Sequence, residues 1–108
     1  MIRLLIVDDH PVVREGLRGM LESDPDVTVA GEAGSGDEAV VLAAELKPDV
    51  ILMDLRMPGG DGVTATRRIL AERSGSRIIV LTTYETDQDI VRAVGGGRDR
   101  LPAEGHLP

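Results

Sequence analysis

Val50-Ile51-Leu52-Met53-Asp54 sets four consecutive apolar residues directly before a carboxylate. Lys47-Pro48-Asp49 bounds the run on one side, and the turn formers Met57-Pro58-Gly59-Gly60-Asp61-Gly62 follow on the other. A short aliphatic run punctuated in this way predicts a strand buried on both faces. Such strands belong to parallel sheets packed between helices. The pattern recurs on either side of it. Leu4-Leu5-Ile6-Val7 closes in Asp8-Asp9, and Ile78-Ile79-Val80-Leu81 closes in Thr82-Thr83. Ligands of open parallel sheets bind just beyond the carboxyl ends of the strands. The three runs are therefore expected to deliver Asp8, Asp9, Asp54 and Thr82 to one common edge.

Helix-like stretches separate these runs, so the chain reads as βα repeats of an α/β domain. Pro11 suits a first helical position. Val13, Leu17, Met20 and Leu21 mark the inward face of that helix, and Asp24-Pro25-Asp26 stops it. Val27-Thr28-Val29-Ala30 is a short second strand. Ser35-Gly36-Asp37-Glu38 has the form of a capping box, Ser35 capping and Glu38 reaching back. The helix it opens runs to about Leu46 and ends at Lys47-Pro48. Val63, Thr66, Ile69 and Leu70 are expected to face inward from a third helix. The fourth strand spans roughly Arg77 to Thr82, and Thr86 caps a fourth helix reaching Val94.

With 108 residues there is room for one small domain and a modest core. There is no Phe or Trp and a single Tyr, so that core must be aliphatic. A net charge of −7 argues against a general nucleic-acid or anionic-membrane surface. The absence of Cys excludes disulfides and thiolate metal sites. The apolar runs are too short for a signal peptide or a membrane span, so a cytoplasmic location is expected.

One aspartate after a strand is usually a turn or cap residue. Three carboxylates and a hydroxyl, all at strand ends, carry more. Carboxylates brought this close repel one another, and a hard divalent cation relieves the repulsion. Mg²⁺ takes one or two carboxylates while keeping waters and binding phosphate oxygens. A carboxylate beside such a cation can become an aspartyl-phosphate. Thr82 could offer its hydroxyl to a phosphoryl group on Asp54. His10 reads as a loop residue, Arg67-Arg68 as a solvated helix face, and Met20, Met53 and Met57 as packing.

Ile6-Val7-Asp8-Asp9-His10-Pro11, Pro48 through Pro58, Asp61-Gly62 and Leu81-Thr82-Thr83-Tyr84 together resemble the receiver domain of two-component response regulators. The Asp-Asp-His-Pro form is similar to the LuxR/NarL-type subfamily. The resemblance runs from Met1 to Val94. It implies a flavodoxin-like (βα)5 receiver fold, a doubly wound parallel sheet of order 2-1-3-4-5. It implies Asp54 as phosphoacceptor, Asp8, Asp9, Asp54 and the backbone carbonyl of Arg56 as Mg²⁺ ligands, and Thr82 as the switch hydroxyl. It further implies a sensor histidine kinase as phosphodonor, homodimerisation on phosphorylation in intact relatives, and transcription control as output. Catalysis would be limited to the domain's own phosphorylation and dephosphorylation, so the chain does not read as an enzyme. Two alternatives remain. A Mg²⁺-dependent aspartyl-phosphate phosphohydrolase usually places a second Asp two residues after the nucleophile, where this chain has Arg56. A pseudo-receiver would bind a partner without phosphorylation.

The chain departs from the family after Val94. The Lys that should follow a fifth strand falls on Glu104, and the DNA-binding domain of the subfamily is expected to be absent. Residues 95–108 hold Gly95-Gly96-Gly97, two prolines and no apolar periodicity, the composition of a disordered tail. Receiver residues 1–94 are therefore expected to lack a normal fifth strand and helix. Reading the Gly95 to His106 codons one base later permits Glu-Ala-Gly-Ala-Thr-Gly-Tyr-Leu-Leu-Lys-Asp-Thr, which looks like the family's continuation. A frameshifted or mis-assembled gene is favoured over a natural tail. Each large side chain left in water forfeits about 1.5–3 kcal/mol, against a total of about 5–15 kcal/mol for a domain. The purified chain is expected to be partly unfolded or to aggregate. Substituting the shifted reading, extended by a fifth helix, should restore a cooperative melt; a sharp, reversible, monomeric melt of the chain as written would refute this.

Overall fold

The computed structural model describes residues 1–55, 57, 61–72 and 75–81. Thr82, Arg56, the helix expected from Thr86 to Val94, and residues 95–108 with any fifth strand or helix lie outside the described residues.

Seven elements alternate: β1 (Ile2–Val7), α1 (Pro11–Leu21), β2 (Val27–Ala33), α2 (Gly36–Leu46), β3 (Val50–Met53), α3 (Asp61–Ala71) and β4 (Arg77–Val80). The four strands form one sheet in the order β2-β1-β3-β4, with all three pairings parallel. This is the order the receiver fold requires of its first four strands. Leu4 to Val7 and Ile51 to Met53 are fully buried, as expected of central strands with helices on both faces. Alternation divides them. Ile2, Leu4, Ile6, Val50, Leu52 and Ile79 join Leu17 and Leu21 of α1 in one core. Leu5, Val7, Ile51, Met53 and Ile78 join Ala39, Val40 and Ala43 of α2 and Ala65 and Ile69 of α3 in the other. Among the described residues, no helix is long and apolar enough to cross a membrane.

The helix ends follow local chemistry. Pro11 opens α1, where its missing N–H costs nothing. Ser35 Oγ accepts the Glu38 amide at 3.1 Å, completing half of the capping box. Glu38 Oε1 reaches back to the Gly34 amide at 2.7 Å, one residue before the expected cap nitrogen. Lys47 ends α2 in the left-handed region at φ 48°. The Arg3 guanidinium, coming from β1, donates to the Leu46 carbonyl at 2.6 Å and so serves that helix's carbonyl end.

Three expectations need correction. Val13 is exposed, because the first turn of α1 starts at the carboxyl edge of the sheet and overhangs it; Leu17 and Leu21 are buried, with Met20 partly covered. Val63 and Leu70 are also exposed, and α3 turns in Gly62, Ala65 and Ile69 instead. A Cβ on Gly62 would lie 2.5 Å from the Asp54 carbonyl oxygen and 2.8 Å from Leu55 Cα. That close approach fixes the rotation of the helix, one position away from the row the apolar residues suggest. Finally, β2 continues past Ala30 to Ala33 through a register shift opposite Leu4 and Leu5.

Candidate functional site

β1, β3 and β4 end flush, since Val7 pairs with Met53 and Met53 with Val80. The ladder continues one residue beyond β1 and β3. The Asp8 amide donates to the Ala33 carbonyl and the Asp54 amide to the Val7 carbonyl, each at 3.0 Å. Strand hydrogen bonding therefore holds the backbones of both acids. Asp8 and Asp54 are 5% and 6% exposed, at the carboxyl edge of the central strands.

Asp8, Asp9, His10 and Asp54 each offer one ligand atom, and these atoms all lie within 4.8 Å of one another. The first, second and fourth are the acids expected from the sequence. Carboxylates at this separation repel by roughly 3–4 kcal/mol at the effective dielectric of a protein edge. Asp8 does serve the ordinary turn role as well, since its Oδ1 accepts the His10 amide at 2.8 Å. The His10 ring is a participant that sequence reasoning missed. Its Nδ1 lies 3.1 Å from Asp8 Oδ1 and 2.8 Å from Asp9 Oδ1. A single ring N–H cannot serve two carboxylates well, and Asp9 Oδ1 is shielded from water, in ion-pair range of the ring at 2.8 Å but without a well-aligned hydrogen bond.

A shielded carboxylate oxygen without a well-aligned hydrogen bond is costly, whereas a hard cation satisfies it directly. The donor set, dominated by carboxylate oxygen at the mouth of a parallel sheet, fits Mg²⁺. Asp8, Asp9 and Asp54 would hold it. The start of α3 closes the site from the side, where Gly62 abuts the Asp54 backbone. Thr82 would follow one residue after Leu81, the last described position of that segment.

Residues 4–101 match the response regulator receiver domain family. Over 97 residues the chain is 52% identical to the transcriptional regulatory protein LiaR of Bacillus subtilis (strain 168), covering 90% of this chain and 46% of that protein. The chain spans about half the length of the curated relatives it matches. Its fold superposes on the signal receiver domain of NarL from Mycobacterium tuberculosis with a TM-score of 0.80 and 30% identity, covering 92% of this chain and 98% of that one. A LuxR-family two-component response regulator from Aurantimonas sp. SI85-9A1 gives a TM-score of 0.70 at 42% identity, covering 74% and 57%.

Proposed function

The chain belongs to the response regulator receiver domain family, of LuxR/NarL type, and from that premise we propose that Asp54 accepts a phosphoryl group from a phosphohistidine on a sensor histidine kinase. The supporting observation is the nearly buried Asp54 carboxylate, gathered with Asp8, Asp9 and His10 at the sheet's carboxyl edge. An Asp54 carboxylate oxygen attacks phosphorus in line with the donor imidazole. The new O–P bond forms as the P–N bond breaks, and the leaving nitrogen keeps its electron pair and takes up a proton. Strand hydrogen bonding fixes the Asp54 main chain, so little reorganisation is needed on the way. Bound by Asp8, Asp9, Asp54 and the Arg56 carbonyl, Mg²⁺ would supply neutralisation of charge on the transferring oxygens. Thr82 is the hydroxyl that would turn to the phosphoryl group and report its arrival.

Receiver domains are signal domains, and the reaction described is a single self-modification. LiaR is a transcriptional regulator, and control of transcription is the output we propose for a full-length protein of this type, with homodimerisation on phosphorylation. With net charge −7, this chain is not itself expected to bind nucleic acid.

Incubation with a small phosphodonor and Mg²⁺, of this chain and of a version carrying the shifted tail reading and a fifth helix, should give one phosphoryl adduct, mapped by mass spectrometry to Asp54. Chelating the metal should prevent it. Asp9→Ala should weaken Mg²⁺ binding about tenfold or more while keeping or raising the metal-free melting temperature, because like-charge repulsion is relieved. An adduct mapped elsewhere, or labelling indifferent to chelation, would overturn the reading.

A further inference from the structure

We infer that Arg14, locked by Glu32, is the positioning residue for the Asp8-Asp9 turn and sets its affinity for a divalent cation. The inference rests on the reading of Asp8 and Asp9 as metal ligands. Arg14 Nη1 donates to the Asp8 main-chain carbonyl at 2.6 Å, and its Nε donates to Glu32 Oε1 at 3.3 Å. The Asp8 amide is already committed to the Ala33 carbonyl. The main chain of Asp8 is thus held on both sides, by β2 at the amide and by α1 at the carbonyl. That carbonyl belongs to the peptide plane leading into Asp9, so the guanidinium fixes where the Asp9 side chain departs.

Three features of the fold converge on this contact. The register shift in β2 is the first. Before it Val27 and Val29 pair with Ile2 and Leu4, and after it Glu32 pairs with Ile6. Without the extra residue Gly31 would oppose Ile6, and Glu32 would turn to the face packed by α2 and α3. Bulges re-aim side chains in this way, and here Glu32 is aimed at α1. The second is the sharing of Glu32, whose Oε2 accepts Arg18 Nη1 at 2.7 Å. This bond first, and then the charge of Glu22, hold the Arg18 guanidinium above its ordinary range. The third is Gly34, where a Cβ would come within 3.3 Å of Arg14 Nη1. A glycine there leaves the guanidinium its place.

Two effects of removing Arg14 oppose each other. A cation near the site repels another cation, so loss of the charge alone would tighten Mg²⁺ binding. Loss of the anchor would let the turn relax and weaken binding, and groups that orient metal ligands are typically worth about 10–100-fold in affinity. Calorimetric Mg²⁺ titration of the full chain decides between them. Arg14→Ala should raise the Mg²⁺ Kd about tenfold. Arg14→Lys, whose compact ammonium keeps the charge and its N–H donors but lacks the planar fork that spans the carbonyl and Glu32, should fall between Arg14→Ala and the parent. In the metal-free protein, the Asp9 amide nitrogen resonance should move in Arg14→Ala, because its peptide carbonyl has lost a charged donor. If circular dichroism shows Arg14→Ala unfolded, Arg14→Lys alone decides, and a parental Kd in that variant overturns the inference. Binding by Arg14→Ala as tight as the parent's or tighter, or an unmoved Asp9 resonance, overturns it too while leaving the metal site standing. Failure of the parent to bind Mg²⁺ would instead overturn the reading of the site, and this positioning role with it.

Discussion

Asp54→Asn should abolish phosphoryl labelling while the protein keeps its fold. The amide has nearly the shape of the carboxylate, and the main-chain bond from the Asp54 amide to Val7 is untouched by the change. What is lost is the nucleophile, since an amide oxygen in place of a carboxylate oxygen cannot form a stable acyl phosphate. Labelling should fall roughly a hundredfold or more, equivalent to at least about 2.7 kcal/mol of barrier. Two further measurements separate chemistry from stability. The metal-free melting temperature should hold or rise, because one of three clustered carboxylates becomes neutral. The stabilisation gained on adding Mg²⁺ should shrink, because stabilisation by a ligand rises with the logarithm of its affinity for the folded state. Undiminished labelling of the Asn variant would place the covalent site elsewhere.

Gly62→Ala should destabilise the protein, reversing the usual sign of that substitution in a helix. Alanine inside a helix is ordinarily better than glycine by about 0.5–1 kcal/mol. At Gly62 the new methyl would meet main-chain atoms, the Asp54 carbonyl oxygen at 2.5 Å and Leu55 Cα at 2.8 Å, and neither can swing away as a side chain can. Either α3 must lift or the segment after Asp54 must shift, at a cost of about 1–3 kcal/mol. Because the struck atom belongs to the proposed phosphoacceptor residue, labelling should slow together with the loss of stability. Gly16 and Gly19 of α1 are the controls, each with nothing within 4 Å of its hypothetical Cβ. Alanine at either should raise stability by about 0.5–1 kcal/mol. Equal effects at Gly62 and Gly16 in urea melts would remove the contact from the account.

These contrasts show what could be read in the chain and what could not. The three apolar runs announced β1, β3 and β4 because a strand buried on both faces has no polar residue to disguise it. Asp8, Asp9 and Asp54 were legible as a group for the same reason, each marking the point where such a run stops. The rotation of α3 was not legible. Val63 and Leu70 form as good an apolar row as Gly62, Ala65 and Ile69, and only the approach to Asp54 chooses between them. The end of β2 was hidden because Gly31 and Glu32 break the alternation, and the register shift that accommodates them depends on β1. Arg14 and Glu32 lie 18 positions apart, so no local spacing relates them. His10 reads as a loop residue, since its neighbours in sequence do not reveal that its ring lies between two carboxylates.

The strand order also bears on how the chain comes to be folded. β1 is made first, yet it lies between β2 and β3, and its residues from Leu4 to Val7 are fully covered in the finished sheet. From the time Val7 is made until Val50 follows, one edge of this strand has no partner. At about 5–20 residues per second of synthesis that interval is roughly 2–9 seconds. A six-residue segment reading Ile-Arg-Leu-Leu-Ile-Val is the kind that pairs with copies of itself when left open. Arg3 is the one charge within it. In the native protein its main chain is bonded to Asp49, just before β3; until that partner is made, a charge inside an open apolar segment disfavours pairing with a second copy.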